Sequence, residues 1–138
     1  MGELVRFGVA VDEELLKKFD KLTVKRGYAN RSEALRDLMR DALVQQQWQA
    51  NEEVIGVVTL LYDHHARNLE AQLTDIQHEH HEQILSTMHI HLDHDHCLEI
   101  IAVRGLGRQI EELATKLIGM KGVRHGKLTA TSTGRGLC

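Results

Sequence analysis

Proline is absent from all 138 residues, so Gly and Asn must do the turning. Cysteine is almost absent too, with Cys97 and Cys138 alone. Two thiols so far apart do not form a disulfide framework, and a reducing compartment is expected. Cys138, after Thr-Gly-Arg-Gly-Leu, is expected to be mobile and chemically silent. No apolar run approaches membrane-spanning length, and no basic start precedes an apolar stretch. This reads as a cytoplasmic protein without membrane contact. A strong basic excess is also missing: the net charge is −3, which alone speaks against a nucleic-acid partner. Residues 1–50 carry nine Lys/Arg against eight Asp/Glu, and the remainder eight against twelve. The N-terminal third is thus the only part that is not acidic. Apolar content of 42% and charged content of 27% are ordinary for a globular chain. The length suits one domain or two small ones, and two small ones need oligomerisation to be stable.

Histidine, by contrast, is abundant and clustered. Seven of the ten histidines lie between His78 and His96, and Cys97 follows directly. Imidazole and thiolate are ligands of borderline transition metals and suit neither magnesium nor calcium.

Along the chain, Arg6–Val11 alternates Phe7, Val9 and Val11 with Arg6, Gly8 and Ala10, the pattern of a half-buried strand. Asp12 sits where a helix N-cap belongs, with Glu13 and Glu14 behind it. Leu15, Leu16, Phe19 and Leu22 make its apolar stripe, and Gly27 fits its C-terminal cap. Ser32 can cap a second helix with Leu35, Leu38, Met39, Ala42 and Leu43 inward. A lone strand needs a partner, and a second copy of the chain supplies one as a two-stranded antiparallel ribbon across a dimer axis. The polar stretch Gln45–Asn51 reads as a linker or a frayed helix end. Beyond it come a strand (Glu53–Tyr62), a helix (His65 to about His80), two strands (Gln83–Leu92 and Cys97–Val103), a helix (Gly107–Met120) and a strand (Val123–Ser132). The expected fold is α+β, a β-α-α unit at 1–47 followed by a ferredoxin-like β-α-β-β-α-β domain at 53–133.

His89 and His91 are two apart on a strand and project from one face, with Met88, Ile90 and Leu92 directed to the core. Cys97 opens the next strand, close to His91 across the hairpin. A fourth ligand is then needed. His78 lies about 200° from Ile76 on its helix, opposite the apolar stripe, and can reach a metal held by a neighbouring subunit. Three nitrogens and one sulfur suit tetrahedral zinc as well as square-planar nickel(II) or copper(II). His80, His81, His94 and His96 read as supporting or surface residues. His89-x-His91-x-Asp93-His94 also matches the pattern of metallo-β-lactamase-type hydrolases. That fold needs a longer chain and further ligands downstream, where only His125 follows.

Several motifs together resemble the nickel-responsive transcriptional regulators of the ribbon-helix-helix type (the NikR family). They are Arg31-Ser-Glu-Ala-Leu-Arg-Asp37, Gln77-His78, His89-x-His91 with Cys97-Leu-Glu-Ile100, and Gly122-Val-Arg-His-Gly126. The resemblance covers about Arg6 to Leu128. It implies a dimeric DNA-binding domain and an ACT-like core that assembles a homotetramer. It also implies nickel(II) held by His89, His91 and Cys97 with His78 from another subunit. The ribbon would enter the major groove of double-stranded operator DNA with Arg6, Gly8 and Ala10 outward. Gly8 and Ala10 offer no hydrogen-bond donor, so direct readout would rest mainly on Arg6. The start of the second helix, with Arg31 and Ser32, would meet a phosphate. Glu33 and Asp37 share a helix face, and the resemblance implies a hard cation there; Arg36 and Arg40 can offset the same charges instead. The function implied is a repressor binding a two-half-site operator when nickel is bound, controlling nickel uptake and having no enzymatic activity. A metal storage or delivery protein and an ACT-type small-molecule regulator are the alternatives.

Overall fold

The computed structural model describes residues 2–138, which form two compact units. One comprises the N-terminal residues through Leu43 with Gly134–Cys138, the other Val44–Thr133.

In the first unit, helix α1 (Glu13–Lys25) is preceded by Asp12, whose carboxylate accepts the Glu14 N–H at 2.9 Å. Its C-terminus closes around Gly27 at φ +78°. Gly27 N–H donates to the Val24 carbonyl and Tyr28 N–H to that of Thr23, the paired bonds of a Schellman cap. Helix α2 runs from Arg31 to Gln49. Its cap is Asn30, whose side chain accepts the Glu33 N–H at 3.0 Å. Ser32, expected as the cap, lies inside the first turn. Residues 2–11 belong to no helix or strand. The strand expected at Arg6–Val11 is therefore not formed within one chain, since a ladder needs a partner strand. Phe7, Val9 and Val11 are exposed, as are Leu38, Met39 and Leu43 of the expected inward stripe. Ala34 is the buried apolar residue of that stretch.

The stretch Gln45–Asn51 is not a linker. It is helical to Gln49 because Trp48 gives it an anchor. The indole is buried among Val54, Val58 and Ile110, and its N–H donates to the Thr131 carbonyl at 2.9 Å. Asn51, at φ +56°, then ends the helix and accepts the Arg108 N–H at 2.9 Å.

The second unit contains β1 (Glu53–Asp63), α3 (Leu69–Glu79), β2 (Ile84–His91), β3 (His96–Leu106), α4 (Gly107–Ile118) and β4 (Val123–Thr131). The strands form one antiparallel sheet in the order β2-β3-β1-β4, the ferredoxin-like arrangement expected. One sheet face is covered: Val54, Val58, Leu60 and Tyr62 of β1 and Cys97, Ile101 and Val103 of β3 pack with Leu69 and Leu73 of α3 and Ile110, Leu113 and Leu117 of α4. Helix α3 begins at Leu69 and not at His65. The Asp63 carboxylate takes the His65 N–H at 2.8 Å, and Asn68 stands in the left-handed region at φ +61°, so residues 64–68 turn before the helix starts.

Candidate metal centre

Register fixes the centre. His91 lies opposite Cys97 and His89 opposite Glu99 in the β2–β3 pairing, and Tyr62 lies opposite Cys97 in the β1–β3 pairing. Side chains directly opposite share a face. His89 and His91 therefore stand on the helix-covered face with Cys97, and Met88 and Leu92 are exposed on the other. The sequence expectation had these two faces reversed.

Cys97 Sγ is fully buried and lies 3.5 Å from His91 Nδ1 and 3.4 Å from His64 Nδ1. The His89 and His91 rings are 4.9 Å apart. Burial is the first cause that pushes the Cys97 thiol above its ordinary range, and the charges of Glu70, Glu99 and Asp93 add to it. A thiol held neutral in the apo chain, with imidazole nitrogens in contact, is a ligand waiting for a cation to replace its proton. Ligand atoms of His64, His91 and Cys97 all lie within 4.8 Å of one another, and so do those of Glu70, His89 and Cys97. This donor set fits a borderline divalent ion.

Sequence reasoning missed His64, Glu70, Tyr62 and Glu99. His64 follows β1 directly, where the pairing Asp63↔His96 brings it beside Cys97. The Glu70 carboxylate approaches His64 Nδ1 at 3.4 Å and His89 Nε2 at 3.8 Å. The Tyr62 hydroxyl lies 3.1 Å from His89 Nδ1 and stays protonated, its pKa raised chiefly by burial and further by Glu99, Glu70 and Cys97. Such a contact orients the ring and leaves Nε2 for an ion. Glu99 is buried, accepts from Gln77 Nε2 at 3.4 Å, and has its pKa raised first by desolvation. The signal for His64 was the Asp63-His64-His65 run at a strand end, which acquires meaning only once strand order is known.

His78 is not part of this cluster. It is exposed near the end of α3. His80 Nδ1 lies 2.9 Å from the Ile76 carbonyl, and His96 Nδ1 lies 3.0 Å from Asp93. Asp93, the aspartate of the hydrolase-like pattern, accepts the N–H groups of Asp95 and His96 at 2.8 Å each. It shapes the turn.

In the first unit, Arg6, Gly8 and Ala10 are exposed. Arg31 forms a two-pronged pair with Asp20, at 2.8 Å through both nitrogens. The Asp20 carboxyl is held below its usual range mainly by that hydrogen bond. Ser32 is exposed in the first turn of α2. Glu33 accepts the Ala29 N–H at 3.4 Å, and Asp37 accepts the Tyr28 hydroxyl and meets Arg40 at 3.5 Å. Cys138 is exposed, and Arg40 donates to its carbonyl at 3.4 Å.

Residues 55–131 match the family described as the NikR C-terminal nickel-binding domain, and residues 5–46 match the ribbon-helix-helix proteins of the copG family. A Geobacter sulfurreducens protein provisionally named a nickel-responsive regulator is 54% identical over 138 residues, 99% of both chains. A Thermococcus kodakarensis protein of the same provisional name is 47% identical over 136 residues, 98% of this chain and 99% of its own. An uncharacterized protein of known structure from Thermotoga maritima shares the fold of part of the chain, with a TM-score of 0.53 and 18% identity. The match covers 59% of this chain and all of the other. A ribbon-helix-helix unit joined to a nickel-binding domain, matched end to end by such relatives, places the chain in the family of nickel-responsive transcriptional regulators, which are not enzymes.

Proposed function

We infer that this regulator is a cytoplasmic repressor that binds a two-half-site operator when nickel(II) is bound, and that it controls nickel uptake. The observation that carries this reading is the buried Cys97 thiol meeting His91 and His89 on one sheet face, while His78 of the same chain stands outside. His89, His91 and Cys97 would hold the ion from one chain, and His78 would come from another. A nickel ion held there would supply a positive charge for thiolate and imidazole to share, and the four residues would then join two chains.

The remaining residues set what that link can do. Gln77 of α3 accepts the Thr87 hydroxyl of β2 at 2.7 Å and also reaches Glu99. The end of the helix that carries His78 is thus tied to the ligand strand. The open sheet face leaves Leu85, Met88 and Leu92 exposed, as an assembly surface would, which supports a homotetramer. In the N-terminal unit, taken as 1–47 with the metal-binding domain at 53–133, the exposed Phe7, Val9 and Val11 support ribbon pairing with a second chain. That pairing would turn Arg6, Gly8 and Ala10 toward bases, with Arg31 and Ser32 near phosphate and Glu33 and Asp37 as acceptors for a hard cation.

Coupling between the two sites is reciprocal, so operator DNA tightens nickel binding by the factor with which nickel tightens operator binding. Calorimetric nickel titrations with and without operator duplex test this, and equal nickel affinities in the two would reject it. Copper binds such a donor set more tightly than nickel, so selectivity lies in the response.

A further inference from the structure

We propose that Asp20 competes with DNA phosphate for the Arg31 guanidinium, and so limits the grip of the N-terminal unit on any duplex. The inference rests on the reading of Arg31 as a phosphate contact. Arg31 opens α2 and Asp20 stands on α1, eleven residues earlier. The Gly27 closure and the turn to Asn30 bring the two together. Arg31 Nε donates to Asp20 Oδ1 and Nη2 to Oδ2, each at 2.8 Å. Two parallel bonds of this kind are the geometry by which a guanidinium also takes a phosphate. The carboxylate thus fills, within the chain, an edge that a phosphate would use.

The pair stands where a phosphate can reach it. The side chains of Arg31 and Asp20 are 57% and 43% exposed. The first turn of α2 presents N–H groups that have no intrahelical acceptor. The Asn30 side chain takes that of Glu33, and those of Arg31 and Ser32 attract an anion beside the guanidinium. Other cations of the unit are held at longer range: Lys17 meets Glu13 at 3.3 Å and Arg40 meets Asp37 at 3.5 Å. Positive charge is scarce in this part of the chain. Residues 1–50 carry nine Lys/Arg against eight Asp/Glu, so one neutralised arginine is a large share of what the unit offers to a polyanion.

Both ways of binding a phosphate lose affinity to Asp20. A phosphate on the occupied edge must displace the carboxylate and break two charge-assisted bonds. A phosphate on the open edge, through the N–H groups left on Nη1 and Nη2, shares one cation with a second anion. At about 6 Å in water, the repulsion between two single charges corresponds to about a three-fold loss of affinity. The two chains of a ribbon pair would together lose about ten-fold. Asp20→Asn removes the charge, while the amide oxygen can still accept from Nε and keep the guanidinium in place. The variant should therefore bind DNA more tightly. A phosphate contact carries no base identity, so the gain should be the same on every sequence.

The test uses the full-length nickel-loaded protein, Asp20→Asn, Asp20→Glu, Arg31→Gln, and the double variant Asp20→Asn with Arg31→Gln. Anisotropy titrations employ two labelled duplexes, one selected from random sequence by the nickel-loaded wild type and one scrambled. Asp20→Asn should bind both about ten-fold more tightly at low salt, with a plot of log affinity against log salt steeper by about one for each chain on the duplex. Asp20→Glu keeps the charge and should show neither change. The double variant lacks the guanidinium and should lose the gain. Melting temperatures should stay close to wild type, because an exposed ion pair contributes little to stability. Unchanged or weaker binding by Asp20→Asn would overturn the competition. So would a gain by Asp20→Glu, which would make shape the cause, or an equal gain in the double variant, which would reduce Asp20 to general charge. Arg31→Gln with wild-type affinity and salt slope would instead remove Arg31 from the phosphate contacts.

Discussion

Nickel uptake should expel one more proton from the wild-type chain than from Cys97→Ala. The thiol is fully buried, and its pKa is raised above the ordinary value by burial first and then by Glu70, Glu99 and Asp93. A raised folded-state pKa means the neutral thiol contributes its full stability below the unfolded-state value, and that contribution is lost as pH rises through the folded-state value. At pH 7–8, below both values, the metal-free chain therefore keeps the proton. With Cys97 as a ligand, as proposed, the binding form is the thiolate, so binding must release that proton. This one group then makes the apparent nickel affinity rise about ten-fold per pH unit. His89 and His91 are present in both proteins, and their contribution cancels in the difference. Calorimetry at one pH in two buffers of different ionisation enthalpy counts the protons directly. The expected difference is about one. An identical count would mean that the thiol is not a ligand or is ionised beforehand, and either result refutes the reasoning. The substitution removes a single small buried group and should lower stability by about 1 kcal/mol, so the apo variant remains folded for the comparison.

Three further outcomes follow from neighbouring residues. Glu99→Gln should raise the melting temperature of the metal-free protein at pH 7. The Glu99 pKa is raised mainly by desolvation, so the buried charge opposes folding once pH exceeds that value, and the advantage should fade toward pH 4, where wild type is neutral too. Gly126→Ala should lower the urea midpoint by the equivalent of about 1–3 kcal/mol. The added Cβ would stand 2.6 Å from Ile118 Cγ1 and 3.1 Å from Ile118 Cβ, on a strand pinned opposite Leu60. Arg6→Ala should reduce the preference for operator over scrambled duplex by about 1–3 kcal/mol, since Gly8 and Ala10 have no donor to replace it. Gel shifts at matched salt read this, and an equal loss on both duplexes would make Arg6 a phosphate contact.

What could be read from the sequence was local. The Asp12 cap, the Gly27 closure and the run of strands and helices from Glu53 onward rest on residues within a few positions of one another, and the structure bears them out. The errors are equally physical. Asn30 won over Ser32 because capping depends on which residue precedes the first helical turn, and either side chain is competent. For Gln45–Asn51 a linker and a helix end stood open, and the structure has the helix end: its one apolar residue, Trp48, carries the anchoring alone through a core and a carbonyl at Thr131 that lie far along the chain. The β2 faces were exchanged because both sets, His89 with His91 and Met88 with Ile90 and Leu92, alternate equally well. Hydrophobicity alone favoured burying the second.

The same failure explains the hidden part of the centre. Cys97 could be paired with His91 because a hairpin joins neighbours in sequence. His64, Glu70 and Tyr62 reach the thiol only because β3, paired with β2 on one edge, pairs with β1 on the other, which puts Tyr62 opposite Cys97. A crossover of that kind depends on how the whole sheet packs, and no local pattern encodes it. His78 presents the complementary case, since its direction on α3 was legible from periodicity. The structure leaves it exposed and apart from Cys97, so whatever it binds must come from beyond the ligand strand of its own chain. His78→Ala separates the possibilities. If His78 completes the centre from another chain, the variant should retain nickel at His89, His91 and Cys97 with reduced affinity while losing the operator response, since the connection between chains is what has been cut. A variant that keeps both its affinity and its response would show that His64 and Glu70 complete the centre within one chain.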